Sequence, residues 1–353
     1  MRIDDIRQRL RAHGAKPRHE QTLLRRWVSG LALQERSARE ALLPAALQAA
    51  LPAIEAQLNS LATLRCEHPA DDGAARLLVE LADGQCVESV LLPRDGVCVS
   101  TQVGCAVGCV FCMTGRTGLL RQLGSAEIAA QVALARRHRV VRKVVFMGMG
   151  EPAHNLDNVL EAIDLLGTAG GIGHKNLVFS TVGDARVFER LPQGRVKPAL
   201  ALSLHTTRPE LRAQLLPRAA RMDPSELVAL AEAYARSTGY PIQYQWTLME
   251  GINDSDAEIE GIVRLLAGKY AVMNLIPYNT VDELPFRRPS WERCAAMARA
   301  LHRRGVLAKL RHSAGQDVEG GCGQLRARAV LGSGRRIEIR PANAAEALVR
   351  SMR

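Results

Sequence analysis

The chain has 353 residues, 47% of them hydrophobic and 24% charged, with a net charge of +11 and a pI near 9.6. That length buries a sizeable core and accommodates one large α/β domain plus a small accessory one. It excludes a small disulfide-stapled scaffold, and no uninterrupted apolar run reaches membrane-spanning length: the stretch from Ala41 to Ile54 is broken by two prolines and a glutamine. The start Met1-Arg-Ile-Asp-Asp-Ile lacks the pattern of a signal peptide. A cytoplasmic protein without a membrane partner is expected.

Residues 1–60 read as a helical accessory domain, with apolar residues at helical intervals in Leu23-Leu-Arg-Arg-Trp-Val and Ala45-Ala-Leu-Gln-Ala-Ala-Leu. Residues 61–96 read as a β-hairpin extension: Leu77-Leu-Val-Glu-Leu, a turn at Asp83-Gly84, then Val87-Glu-Ser-Val-Leu-Leu. From 97 to 335 strands and helices alternate. Strands are expected at Val97–Gln102, Lys143–Met147, Asn176–Ser180, Pro198–Ser203, Ile242–Leu248 and Val272–Ile276. Amphipathic helices are expected at Ser125–Arg137, Leu156–Thr168, Pro224–Ser237, Ser255–Leu266 and Ser290–Arg304. Ser125 is the expected N-cap of the first, with Ile128 where a capping box needs Glu or Gln. Six β/α units predict a parallel sheet closed or partly closed into a barrel, with a doubly wound open sheet as the alternative. A short basic tail occupies 336–353.

Basic runs at Arg7–Arg26, Arg136–Lys143 and Arg299–His312 favour a polyanionic partner such as nucleic acid. The competing reading is a set of solvated Ala/Arg-rich faces. With 4% aromatic residues, an extended base-stacking platform is not expected.

The chemistry concentrates in Cys105-Ala-Val-Gly-Cys-Val-Phe-Cys, a C-x3-C-x2-C loop formed by Cys105, Cys109 and Cys112. A cubane iron–sulfur cluster has four irons, so three local thiolates leave one iron open to another ligand. Zinc or unligated thiols are the alternatives, although structural zinc wants four ligands. The other unusual residues follow the expected strands: Gly148-Met-Gly-Glu-Pro, Ser180-Thr-Val-Gly, Ser203-Leu-His and Pro277-Tyr-Asn. Their common rim is where parallel α/β folds gather chemistry. Gly148 and Gly150 would let backbone approach a ligand. Glu151 offers a carboxylate to an ammonium group, or is a solvated turn acid. Ser180, Ser203 and Asn279 offer polar partners, and His205 is a ligand contact or a satisfied structural histidine. Cys322 sits in Gly315-Gln-Asp-Val-Glu-Gly-Gly-Cys-Gly, whose glycines suit a mobile loop, and Cys98 precedes the cluster motif by seven residues.

Together these motifs, with Val87-Glu-Ser-Val-Leu-Leu-Pro, Leu275-Ile-Pro-Tyr-Asn and Cys322-Gly-Gln-Leu, resemble the radical S-adenosylmethionine (SAM) superfamily. More narrowly they resemble the RlmN/Cfr family of adenosine methyltransferases, a resemblance that implies an α/β fold with a partial (β/α)6 barrel. The resemblance implies a [4Fe-4S] cluster on Cys105, Cys109 and Cys112, whose open iron binds the amino and carboxylate groups of SAM. It implies SAM contacts at Gly150, Glu151, Ser180, Ser203, Leu204, His205 and Asn279. Cys322 would be methylated by one SAM, and a 5′-deoxyadenosyl radical from a second would activate that methyl for addition to adenine. Glu88 matches the base that removes the ring proton, and Cys98 the thiol that forms a disulfide with Cys322 on release. The implied substrate is C2 of a 23S ribosomal RNA adenosine, with transfer RNA as a further target. The alternatives are C8, towards which Thr114-Gly-Arg-Thr-Gly-Leu and Ile276-Pro-Tyr-Asn lean, or another substrate. A monomer and an electron donor such as a flavodoxin system are also implied.

Overall fold

The computed structural model describes residues 1–34, 42–116, 118–327 and 343–351. Three helices lead: α1 (Ile3–Ala12), α2 (Pro17–Val28) and α3 (Ala45–Ser60). Helix α2 starts at Pro17, where a missing N–H costs nothing, and buries Leu23, Leu24, Trp27 and Val28 along one stripe. An antiparallel meander follows, β1 (Thr63–Pro69), β2 (Ala75–Glu80) and β3 (Cys86–Leu92). Then come β4 (Gly96–Cys98), β5 (Gln102–Gly104), α4 (Met113–Arg116), β6 (Leu119–Gln122), α5 (Ser125–His138), β7 (Lys143–Phe146), α6 (Leu156–Gly167) and β8 (Leu177–Thr181). The remainder is α7 (Ala185–Arg190), β9 (Ala199–Ser203), α8 (Pro209–Leu215), α9 (Pro224–Thr238), β10 (Ile242–Leu248), α10 (Asp256–Leu266), β11 (Ala271–Pro277), α11 (Trp291–Arg303), β12 (Ala308–Leu310) and α12 (Asn343–Ser351). Of the expected tail, α12 is described in part and 336–342 lie outside the described residues.

One ten-stranded sheet runs β1-β2-β3-β4-β7-β8-β9-β10-β11-β12. From β4 through β12 every neighbouring pair is parallel. The fold is therefore the expected α/β partial barrel, and among the described residues no strand pairing closes it. Two edge strands extend it. Strand β1 adds a third strand to the expected hairpin, and β12 adds a seventh parallel strand. The expected strand at Val97–Gln102 splits, because Gln102–Gly104 leaves the main sheet to pair with β6.

Register divides the sheet into two chemistries. Phe146, Phe179, Leu200, Leu202, Tyr244, Trp246, Met273 and Leu275 fall on one set of alternating positions, all essentially buried. On the opposite set lie Cys98, Ser180, Ser203, Gln245 and Asn274. Alternation thus gives a hydrophobic face and a polar face that carries most of the rim residues. Helix α5 is buried over its first three turns by Ala-rich small side chains and packs between α2 and α6. Its cap corrects the sequence reading. Gly124 is the N-cap and its N–H donates to Glu127 at 2.7 Å. Ser125 Oγ instead accepts from Ile3 N (2.8 Å) and donates to Glu161 (2.7 Å), anchoring α1 to the barrel.

Candidate active site

The cysteine loop is shaped by the β5–β6 pair. Cys105 N donates to Gly118 O at 2.9 Å, and Gly104 at φ +79° sits where any Cβ would overlap that carbonyl. Cys105, Val107, Phe111 and Met113 then pack with Val182, Leu211, Leu215 and Tyr278 in a second apolar cluster, with Cys109 and Cys112 against it. Burial pushes the Cys105 thiol up to about 12 and that of Cys109 well above its ordinary value, with Cys112 raising both further. Neighbouring thiols in apolar surroundings are poor thiolates until a cation neutralises them.

Glu151 is not a solvated turn acid. It is 4% exposed, and its Oε1 accepts from Ala153 N and its Oε2 from Val182 N, each at 3.0 Å. Desolvation outweighs these bonds and pushes its pKa up to about 7. His205 has φ +63°, accepts from Thr247 N through Nδ1 at 3.0 Å, and meets the Phe111 ring edge-on at 5.0 Å. Burial, with Arg212 nearby, lowers its pKa to about 3, so the ring is neutral and an accepting Nδ1 leaves the proton on Nε2. Ser180 and Ser203 are half-buried at the ends of β8 and β9, Leu204 is buried, and Asn279 follows β11. The two glycines also allow close packing inside the fold: a Cβ on Gly148 would lie 2.7 Å from Ser100 Oγ, and one on Gly150 2.6 Å from Gln102 Cβ. Their smallness serves the close packing of the 99–102 segment.

The raised Glu151 pKa has a consequence for the unliganded protein. Between about 4.5 and 7 the folded chain holds this proton more tightly than the unfolded chain, so stability falls as pH rises through that window. Glu151→Gln should remove up to about 3 kcal/mol of this loss. Urea titrations at the two ends of the window check it, and identical pH dependence in parent and variant would refute the assignment.

The loop carrying Cys322 occupies the seam between β12 and the meander. On the meander side Gly315 N donates to Asp72 (2.9 Å), Arg76 Nε to Val318 O (2.6 Å) and Arg326 N to Glu88 Oε2 (2.7 Å). On the barrel side Asn279 Nδ2 donates to Cys322 O (2.9 Å), Met113 N to Gly323 O (2.8 Å) and Thr114 Oγ1 to Leu325 O (2.6 Å). The glycine-rich segment expected to be mobile is thus tied along both sides. Cys322 is solvent-accessible yet recessed, and burial pushes its thiol up to about 11, with Cys112 adding to the rise. Burial raises Cys98 to about 12, with Cys322 adding again. Val90 pairs with Cys98, and Leu78 with Glu88, so Arg76, Glu88 and Cys98 share one sheet face beneath the loop. The structure therefore brings Cys98, Glu88, Cys322 and the cysteine motif together. All eight cysteines are free thiols, and the disulfide implied between Cys98 and Cys322 is absent.

The radical SAM superfamily profile matches residues 99–266. A probable RNA methyltransferase of Methylibium petroleiphilum is 77% identical over 97% of this chain and 97% of its own length. One from Pseudomonas aeruginosa is 67% identical over 97% of this chain and 100% of its own. The chain belongs to their family within the radical SAM superfamily. A solved radical SAM methyltransferase from Sphaerobacter thermophilus superposes with a TM-score of 0.80 at 35% identity, over 93% of this chain and 98% of that one.

Radical SAM membership implies SAM and a [4Fe-4S] cluster, and the residues present fit both. The three thiols pack in one apolar cluster, and two buried polar atoms lack partners: Arg212 Nε, on a side chain close to Cys109, and Asn279 Oδ1. Sequence reasoning missed Arg212. It is 4% exposed on the short helix α8, donates through Nη2 to Val182 O and Ser203 O, and lies close enough to Cys109 and Glu151 to feel both. Nothing marks it among 47 lysines and arginines. Arg76, the ion-pair partner of Glu88, was missed for the same reason.

Proposed function

We propose that the protein methylates a ring carbon of adenosine in RNA, with Cys322 as the methyl carrier. The observation that carries this reading is the position of Cys322, between Cys112 of the cysteine motif on one side and Cys98 and Glu88 on the other. An RNA substrate is supported by the names of the relatives and by the +11 charge.

Cys105, Cys109 and Cys112 would hold a [4Fe-4S] cluster, and Gly150, Glu151, Ser180, Ser203, Leu204, His205 and Asn279 would cradle SAM. When bound, the pair supplies one-electron cleavage chemistry, which an electron-poor ring carbon requires. The chain's own residues set what happens around it. Glu151 presents a carboxylate to the amino end of SAM, while the Arg212 guanidinium offers an unpartnered Nε–H to an anion in the same pocket. The apolar wall of Phe111, Tyr278 and Val182 keeps water from a reactive site. Glu88 is the base for the ring proton, and Cys98 the thiol that helps release product from Cys322. The first-choice target is C2 of a 23S ribosomal RNA adenosine, then a transfer RNA adenosine, with C8 as the alternative position. An electron donor such as a flavodoxin system, a monomeric state and a cytoplasmic location complete the proposal.

The test is nucleoside mass spectrometry of ribosomal and transfer RNA from cells with and without this gene. The expected result is a C-methylated adenosine that disappears with the gene, 2-methyl or 8-methyl according to position. Identical adenosine profiles in the two strains would refute the RNA assignment.

A further inference from the structure

We propose that Arg76 is a positioning residue: with Glu88 it forms a latch that seats the Cys322 loop in the open seam of the barrel. Arg76 and Glu88 stand on neighbouring antiparallel strands, β2 and β3, and their side chains emerge on the same face. The Arg76 guanidinium divides its donors: Nη1 pairs with Glu88 Oε1, while Nε donates to Val318 O at 2.6 Å. The other carboxylate oxygen of Glu88 accepts from Arg326 N at 2.7 Å. One buried ion pair therefore grips the loop on both sides of Cys322. The loop lies flat on the pair, since a Cβ on Gly320 would sit 3.6 Å from Arg76 Cβ and 3.6 Å from Val90 Cγ1.

The energetics make this grip conditional on both partners. The side chains are 11% and 1% exposed, so removing the guanidinium leaves a buried carboxylate with no counter-charge and a backbone carbonyl without its donor. Among the described residues no strand pairs β12 with β1, and the loop is held by these side-chain bonds and the barrel-side contacts. The latch also bears on Glu88 itself. Both its oxygens are hydrogen-bonded in this state, to Arg76 Nη1 and Arg326 N, so the latch also fixes where the carboxylate points. Seating the thiol and orienting the carboxylate are then one event. This inference rests on the proposed roles of Cys322 and Glu88 for its meaning in catalysis. The latch itself is a statement about the resting chain.

The test uses the full-length reduced protein without RNA or SAM, so its failure is separate from any failure of the methyltransferase reading. Alkylation of Cys322 is followed by peptide mass spectrometry against the fully buried Cys294, and amide exchange of 315–327 against 242–248. Arg76→Gln should speed Cys322 alkylation by about tenfold or more and raise exchange in the loop while leaving β10 unchanged. Arg76→Lys keeps the ion pair but loses the fork that also reaches Val318, so it should speed alkylation by a smaller factor. It also keeps the test informative should the glutamine variant fold poorly. Wild-type alkylation and exchange in the loop of either variant would overturn the proposal.

Discussion

Cys322→Ala is expected to lower RNA methylation by about a thousandfold or more, with iron content and fold retained. The reason is positional. Cys322 is the one exposed cysteine among the described residues, it lies on a loop fixed from both sides, and it is within electrostatic reach of Cys98 and Cys112. Truncating it removes no core contact, so the loss falls on chemistry rather than folding. The check is the methyladenosine yield of purified parent and variant on the same RNA, with iron per chain measured beside it. Retained methylation in the alanine variant would remove Cys322 from the mechanism.

Single alanine substitutions at Cys105, Cys109 or Cys112 should take bound iron from about four per chain to near zero. The three thiols pack in one apolar cluster where burial raises their pKa values, so a bound cation is what would stabilise them as thiolates. Iron analysis and the visible absorption of anaerobically prepared protein check this. An alanine variant with full iron content would mean that the motif is not the ligand set.

Much of this site was legible from residues alone, because alternating sheet positions and strand-end loops follow from period and turn chemistry. Glu151, Ser180, Ser203, His205 and Asn279 all fall at one rim as the strand ends required. What escaped depends on long-range packing. Strand β1 has no buried residue and ends in proline, and β12 has three residues, so neither gives a hydrophobic pattern to read. Arg76 and Arg212 become special only through burial beside Glu88 and Cys109, partners distant in sequence. Glu127 caps α5 because the helix begins one residue earlier than Ser125 as N-cap would have it, a shift within the ordinary uncertainty of boundaries. The seating of the Cys322 loop reverses what its glycines suggest, since partners 211, 238 and 242 residues away in sequence help to hold it in place.

The account stands most directly on whether Cys322 carries a methyl group during turnover. Peptide mass spectrometry of the protein after incubation with SAM and reductant, with RNA withheld, answers this. The prediction is one added methyl on the peptide containing Cys322, lost when RNA is then supplied. An unmodified Cys322 in protein that nevertheless methylates RNA would contradict the account.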